Sequence, residues 1–145
     1  QLVVDGAHNP YSIGRLVKAV RELFIFKHLF IVFGSLTGHS IEGMVQELVD
    51  LSATMLIVES RHPRAASMKS VASVAATFGV YVGHSATSVA EGLRKAFDMA
   101  EDKDLILGTG SLSVAAEIIE EMKGLKPELY PSIVRPDRPR SSTGV

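Results

Sequence analysis

The sequence predicts an α/β domain of Rossmann-like type, with a mostly parallel sheet and helices on both faces. Three observations carry that expectation. Five short apolar runs alternate with five amphipathic stripes along the chain. The links between them are short, as β–α–β crossovers require. Polar and glycine residues gather immediately after the apolar runs, where an open parallel sheet binds its ligands.

The first run, Leu2–Val4, leads into Asp5-Gly6-Ala7-His8-Asn9-Pro10. Ile13, Leu16, Val17, Val20 and Phe24 then make a helical stripe at 3–4 residue spacing. The second run, Leu29–Phe33, precedes Gly34-Ser35 and a stripe of Ile41, Met44, Leu48 and Leu51. The third, residues 55–58, precedes Met68, Val71, Ala75 and Phe78; the fourth, residues 80–82, precedes Val89, Leu93, Phe97 and Ala100. Ser88 with Glu91 reads as a capping box for that fourth helix. The fifth, residues 105–107, precedes Val114, Ile118 and Met122. The β-branched content of these runs suits strands buried on both faces. The domain is expected over residues 1–125. Residues 126–145 carry Pro127, Pro131, Pro136 and Pro139 among Arg135, Arg138 and Arg140, and read as an extended tail, mobile beyond about Val134.

Composition excludes several classes. A formal net charge of −1 leaves no electrostatic footprint for nucleic acid or an anionic membrane. The absence of cysteine removes disulfides and thiolate metal sites, and suits a reducing, cytoplasmic setting. No apolar run is long enough to span a bilayer, and nothing resembles a signal peptide. Gln1 is not an initiator methionine, so upstream sequence is expected.

The ligand edge is expected to hold the chemistry. Four of the five histidines, His8, His39, His62 and His84, fall just after predicted strands; His28 lies at the other end and reads as surface. Asp5 can accept hydrogen bonds from a ribose or orient His8. Gly6 allows a sharp turn and close ligand approach. His8 can donate to a phosphate or carboxylate oxygen. Asn9-Pro10 fits the cap and first turn of a helix. Gly108-Thr109-Gly110-Ser111 opens a helix whose N-terminus favours an anion, although a tight β–α turn also wants glycine. Arg61 and Arg64 either hold a carboxylate or phosphate, or pair with nearby acids. The chain lacks a P-loop lysine, a G-x-G-x-x-G after the first strand and a G-x-S-x-G elbow, so nicotinamide and serine-hydrolase chemistry drop out. A metal site from the histidines is conceivable, but no pair has i, i+4 helical spacing.

Asp5-Gly6-Ala7-His8-Asn9-Pro10 resembles the signature that opens the C-terminal domain of folylpolyglutamate synthase and the bifunctional dihydrofolate synthases, within the Mur ligase superfamily. The order of that hexapeptide, Phe33-Gly34, Pro63-Arg64-Ala65 and Thr109-Gly110-Ser111-Leu112 is similar to the family over about residues 2–124. Related Mur ligases usually have an aromatic residue near the position of Gly6, so glycine favours the folate branch. The resemblance implies an ATP-dependent, ADP-forming ligase. It phosphorylates a folate or dihydropteroate carboxylate, and the amine of L-glutamate attacks the acyl phosphate. It implies an N-terminal P-loop domain carrying the Mg²⁺ ligands, without which this chain is inactive. It also implies nucleotide contacts at Asp5, Gly6 and Asn9, a catalytic and substrate-binding His8, and substrate contacts at Ser111 and Arg64. The family's Asp-Lys pair after Phe-Gly is absent from residues 34–40, where His39 is a candidate substitute. The competing readings are a stand-alone Rossmann-like module that binds a nucleotide or anion, and a Mur-type peptidoglycan ligase domain.

Overall fold

The computed structural model describes residues 1–130. Five strands, β1 (Leu2–Val4), β2 (Leu29–Phe33), β3 (Thr54–Val58), β4 (Val82–Ala86) and β5 (Leu105–Thr109), form one sheet in the order β1-β5-β2-β3-β4. Every pairing is parallel. The helices are α1 (Pro10–Leu23), α2 (Ile41–Leu48), α3 (Met68–Thr77), α4 (Val89–Met99) and α5 (Leu112–Lys123), and a 3₁₀ turn at Val49–Leu51 extends α2.

Strand alternation divides the core in two. Leu29, Ile31 and Phe33 of β2 pack with the apolar faces of α1, α2 and α3. Phe30 and Val32, between them on the same strand, face α4 and α5 through Val89, Leu93, Val114 and Ile118. The result is a three-layer α/β/α fold, as the alternating runs predict.

Each helix start is fixed by a serine or asparagine whose side chain accepts the orphan N–H two or three residues on. Asn9, Ser40, Ser67, Ser88 and Ser111 fill that role for α1 to α5. Asn9 and Ser12 make a complete capping box. The box expected at Ser88 and Glu91 is half formed: Ser88 accepts from the Glu91 N–H, while the Glu91 carboxylate turns to the Thr87 hydroxyl.

Three expectations need correction. Only β2, β3 and β5 are buried throughout or nearly so; β1 and β4 are edge strands with one flank open. β4 begins at Val82, not Val80. Tyr81 lies before the strand and its carbonyl accepts from Met55, after which the register shifts between Met55 and Leu56. His84 and Ser85 therefore lie within β4 rather than beyond it. The stripes of α4 and α5 are also narrower than expected, since Phe97 and Met122 are exposed and Gly92 and Ala96 take the inner positions. The stretch beyond Val134, expected to be a mobile tail, lies outside the described residues.

No helix among the described residues is long and apolar enough to cross a membrane.

Candidate functional site

The topology chooses the location. α1 and α2 leave from β1 and β2 toward one face, whereas α5 leaves from β5, which lies between them, toward the other. The loops diverge on both sides of β5, and this divergence opens the crevice in which α/β sheets bind ligands. A cleft of about 410 Å³ lies there. Its walls include His8, His39, His62, Leu36, Ser113 and Tyr130.

Three turns are pinned together to make its floor. The Asp5 N–H donates to the Gly108 carbonyl, and the Gly110 N–H to the Ala7 carbonyl at 3.1 Å. Gly110 has φ +108°, and a Cβ there would collide with the Gly34 carbonyl oxygen and the Phe33 ring. Glycine is thus required by the contact between the β5 and β2 turns, as well as by the backbone angle. The loops after β2 and β3 are joined in turn. The Thr37 N–H donates to the Arg64 carbonyl at 2.7 Å and the Ala66 N–H to the Ser35 carbonyl at 2.8 Å. This pairing sets the His39 loop beside the His62 loop.

Within the hexapeptide each side chain has a distinct task. Asp5 is exposed, and its Oδ1 accepts the Ala7 N–H at 2.8 Å, closing the turn. Asn9 Oδ1 accepts the Ser12 N–H at 2.8 Å as the cap of α1. Gly6 packs against Leu112 at the start of α5. His8 Nδ1 lies 3.0 Å from the Gly6 carbonyl, which can only accept, so Nδ1 carries the proton. A neutral His8 therefore presents Nε2 as an acceptor. His62 has the opposite arrangement: its Nδ1 accepts the Arg64 N–H at 3.0 Å, leaving Nε2 as the donor. The cleft wall offers one imidazole acceptor and one imidazole donor.

His39 completes the cluster, its ring centroid 5.6 Å from that of His8. Burial, then the neighbouring His8, Arg64 and His62, lower its pKa from that of a free imidazole. Its Nδ1 and the Ser35 hydroxyl are buried without a hydrogen-bond partner among the described residues. Such atoms cost about 1–3 kcal/mol each unless something meets them. Both lie in the glycine-rich loop after β2.

The two arginines separate. Arg61 donates from Nη2 to the Glu120 carboxylate and lies 3.6 Å from buried Glu117, whose Oε1 also accepts the Arg61 N–H at 2.7 Å. Burial raises the Glu117 pKa, against the pull of Arg61. Arg61 is thus taken up by acids, while Arg64 stays exposed near His39. Ser111, proposed from the resemblance as a substrate contact, is buried. Its hydroxyl accepts the Val114 N–H at 3.1 Å and lies 3.0 Å from the Ser113 hydroxyl, which reaches Ser60 at 3.0 Å. His84 lies apart on β4, 3.9 Å from Glu91, so three histidines meet at the cleft rather than four. His28 bonds Asp104 near the opposite edge.

Sequence reasoning missed Ser113 and Tyr130, and placed Ser60 on the ligand edge without a role. No short motif distinguishes Ser113 from a capping residue, and Tyr130 sits in a stretch read only as tail. Among the described residues no three His, Asp or Glu side chains converge as metal ligands. The cleft's imidazoles and hydroxyls also differ from the carboxylate oxygens that Mg²⁺ prefers.

The fold is similar to several solved structures. Escherichia coli FolC in complex with DHPP and ADP matches at 24% identity and a TM-score of 0.76, covering 85% of this chain and 28% of that one. Mycobacterium tuberculosis folylpolyglutamate synthase complexed with ADP matches at 22% and 0.74, covering 88% and 30%. The Yersinia pestis bifunctional folylpolyglutamate synthase/dihydrofolate synthase with Mn, AMPPNP and L-glutamate bound matches at 23% and 0.73, covering 84% and 29%. At these identities the likeness establishes the fold, and the chain spans less than a third of each of those proteins. No curated protein matches in sequence. The family model for the Mur ligase glutamate ligase domain matches residues 1–112. The strand–turn–helix hexapeptide, the crevice beside β5 and this match agree: the chain belongs to the Mur ligase family, in its glutamate ligase domain.

Proposed function

We propose that this chain is the C-terminal domain of an ATP-dependent, ADP-forming ligase that adds L-glutamate to a folate or to dihydropteroate. The observation that carries the reading is His8, held by the Gly6 carbonyl with Nε2 unbonded among the described residues, in a cleft shared with His39 and His62. In this reaction ATP transfers its terminal phosphoryl group to the substrate carboxylate, giving ADP and an acyl phosphate. The glutamate amine attacks the acyl carbon, the C–N bond forms, and inorganic phosphate leaves. The amine must lose a proton as it attacks, and in this reading His8 Nε2 accepts it. The His62 Nε2–H, with Arg64 nearby, suits the anionic partner, a carboxylate or departing phosphate. Asp5, Gly6 and Asn9 form the turn against which the nucleotide would rest; Arg64 belongs to the glutamate side, where buried Ser111 acts only by holding the Ser113 hydroxyl at the cleft wall.

ATP phosphates and Mg²⁺ need a P-loop and carboxylates. In this reading a preceding N-terminal domain supplies both, and closure of the two domains excludes water and aligns the amine. No step is assigned to a metal on this chain.

The test uses the full-length protein with ATP, Mg²⁺, L-glutamate and either dihydropteroate or a reduced folate. ADP release must depend on glutamate, and the product must be heavier by one glutamyl residue. The 145-residue chain alone should not turn over. His8→Ala in the full-length protein should lower kcat/KM by about 100-fold. The stability loss should stay near 1 kcal/mol, about the value of the one hydrogen bond its ring makes. Matching losses of activity and stability would make His8 a structural residue.

A further inference from the structure

The chain does not leave the site after α5. Gly124 ends that helix at φ +62°, and its N–H and that of Leu125 donate back to carbonyls of the last turn. Such a cap reverses the chain's direction. The following residues then return beside α5 toward the ligand edge. Glu120 marks their course: its Oε1 accepts the Glu128 N–H at 3.2 Å, while its Oε2 accepts from Arg61. Arg61 also donates to the Glu128 carbonyl at 3.4 Å. Two residues later the Tyr130 ring meets His62 edge-on, with centroids 5.0 Å apart, and lines the cleft with Leu112, Ser113 and Ala116.

We propose that residues 125–130 are a latched strap closing one wall of the cleft, and that Tyr130 is a specificity-determining residue for the amino-acid substrate. The latch is Arg61–Glu120–Glu128. Arg61 follows β3, so one side chain ties the His62 loop, α5 and the strap. Tyr130 lies against His62 and lines the cleft that His8 and His39 also line, so it limits the bulk of what fits there. A flat, partly apolar wall suits the methylene chain of a dicarboxylic amino acid, whose charged ends then meet the imidazoles. This inference rests on the glutamate reading above.

Two measurements on the full-length protein separate the ideas. The first is the rate at which diethyl pyrocarbonate modifies His62, followed by mass spectrometry. Tyr130→Ala and Glu120→Gln should each raise it several-fold, because one removes the cover and the other weakens the latch. The second is steady-state kinetics. Tyr130→Ala should raise KM for L-glutamate by about five-fold with kcat within about two-fold, the scale of one lost aromatic contact. Tyr130→Phe keeps the ring and should restore both readings. An unchanged His62 rate in Tyr130→Ala overturns the strap. A raised rate with unchanged KM overturns the specificity role. Absence of glutamate-dependent turnover in the unmodified protein overturns the preceding reading instead, and the His62 rates still decide the strap.

Discussion

Gly110→Ala isolates the contact on which the site's floor depends. At φ +108° an alanine carries backbone strain of about 1–2 kcal/mol. Its Cβ would also collide with the Gly34 carbonyl oxygen and come within 2.8 Å of the Phe33 ring. Neither neighbour can give way easily, since one is backbone and the other belongs to a fully buried side chain. Overpacking of this kind adds about 1–3 kcal/mol. The sum is about 2–5 kcal/mol, or a melting temperature lower by about 6–15 °C at roughly 3 °C per kcal/mol for this size. Gly38→Ala is the control: φ is +90° but no heavy atom lies within 4 Å of the added carbon, leaving only the strain of about 1–2 kcal/mol. Thermal and urea unfolding of the two variants give the comparison. Equal losses would refute the claim that the β5 and β2 turns are fitted backbone to backbone.

Other outcomes follow from the same geometry. Asn9→Ala should cost about 1–2 kcal/mol in urea unfolding, because it removes the side-chain cap of α1. Arg61→Ala strips buried Glu117 of its cation and should cost about 2 kcal/mol, allowing for the arginine's partial exposure; adding Glu117→Gln should recover much of it. His39 has a folded pKa below its unfolded value, so the unfolded chain binds its proton more readily. Its contribution is full above about pH 6.5 and is lost as pH falls through the folded pKa. His39→Gln should therefore flatten the pH dependence of the urea midpoint over that window, and NMR titration should place His39 below a free imidazole.

The legible parts of the sequence were those where one residue type serves one physical demand. The central strands are continuous apolar runs because both their faces are covered, and the Asp5 to Pro10 turn sits where β1 delivers it. β4 was displaced because an edge strand needs no apolar run: Val82-Gly83-His84-Ser85-Ala86 pairs through its backbone while part of its surface meets solvent. That slip carried His84 away from the cleft. The split between Arg61 and Arg64 was not readable, since it depends on Glu117 and Glu120 lying more than fifty positions away. Tyr130 was hidden for a similar reason. Its place follows from a reversal at Gly124 and a latch formed across the fold.

The position of β5 has a consequence for the order in which the molecule can be made. Among the described residues β1 pairs only with β5, about a hundred residues downstream. During synthesis β1 therefore gains this partner only after residues 105–109 have emerged and entered between it and β2. Closing so long a loop comes at an entropic cost that local helix formation does not share. The remaining strands can already pair as β2-β3-β4, so the His8 turn joins a partly assembled sheet. The His8 turn takes its place in the cleft only once β5 has entered the sheet.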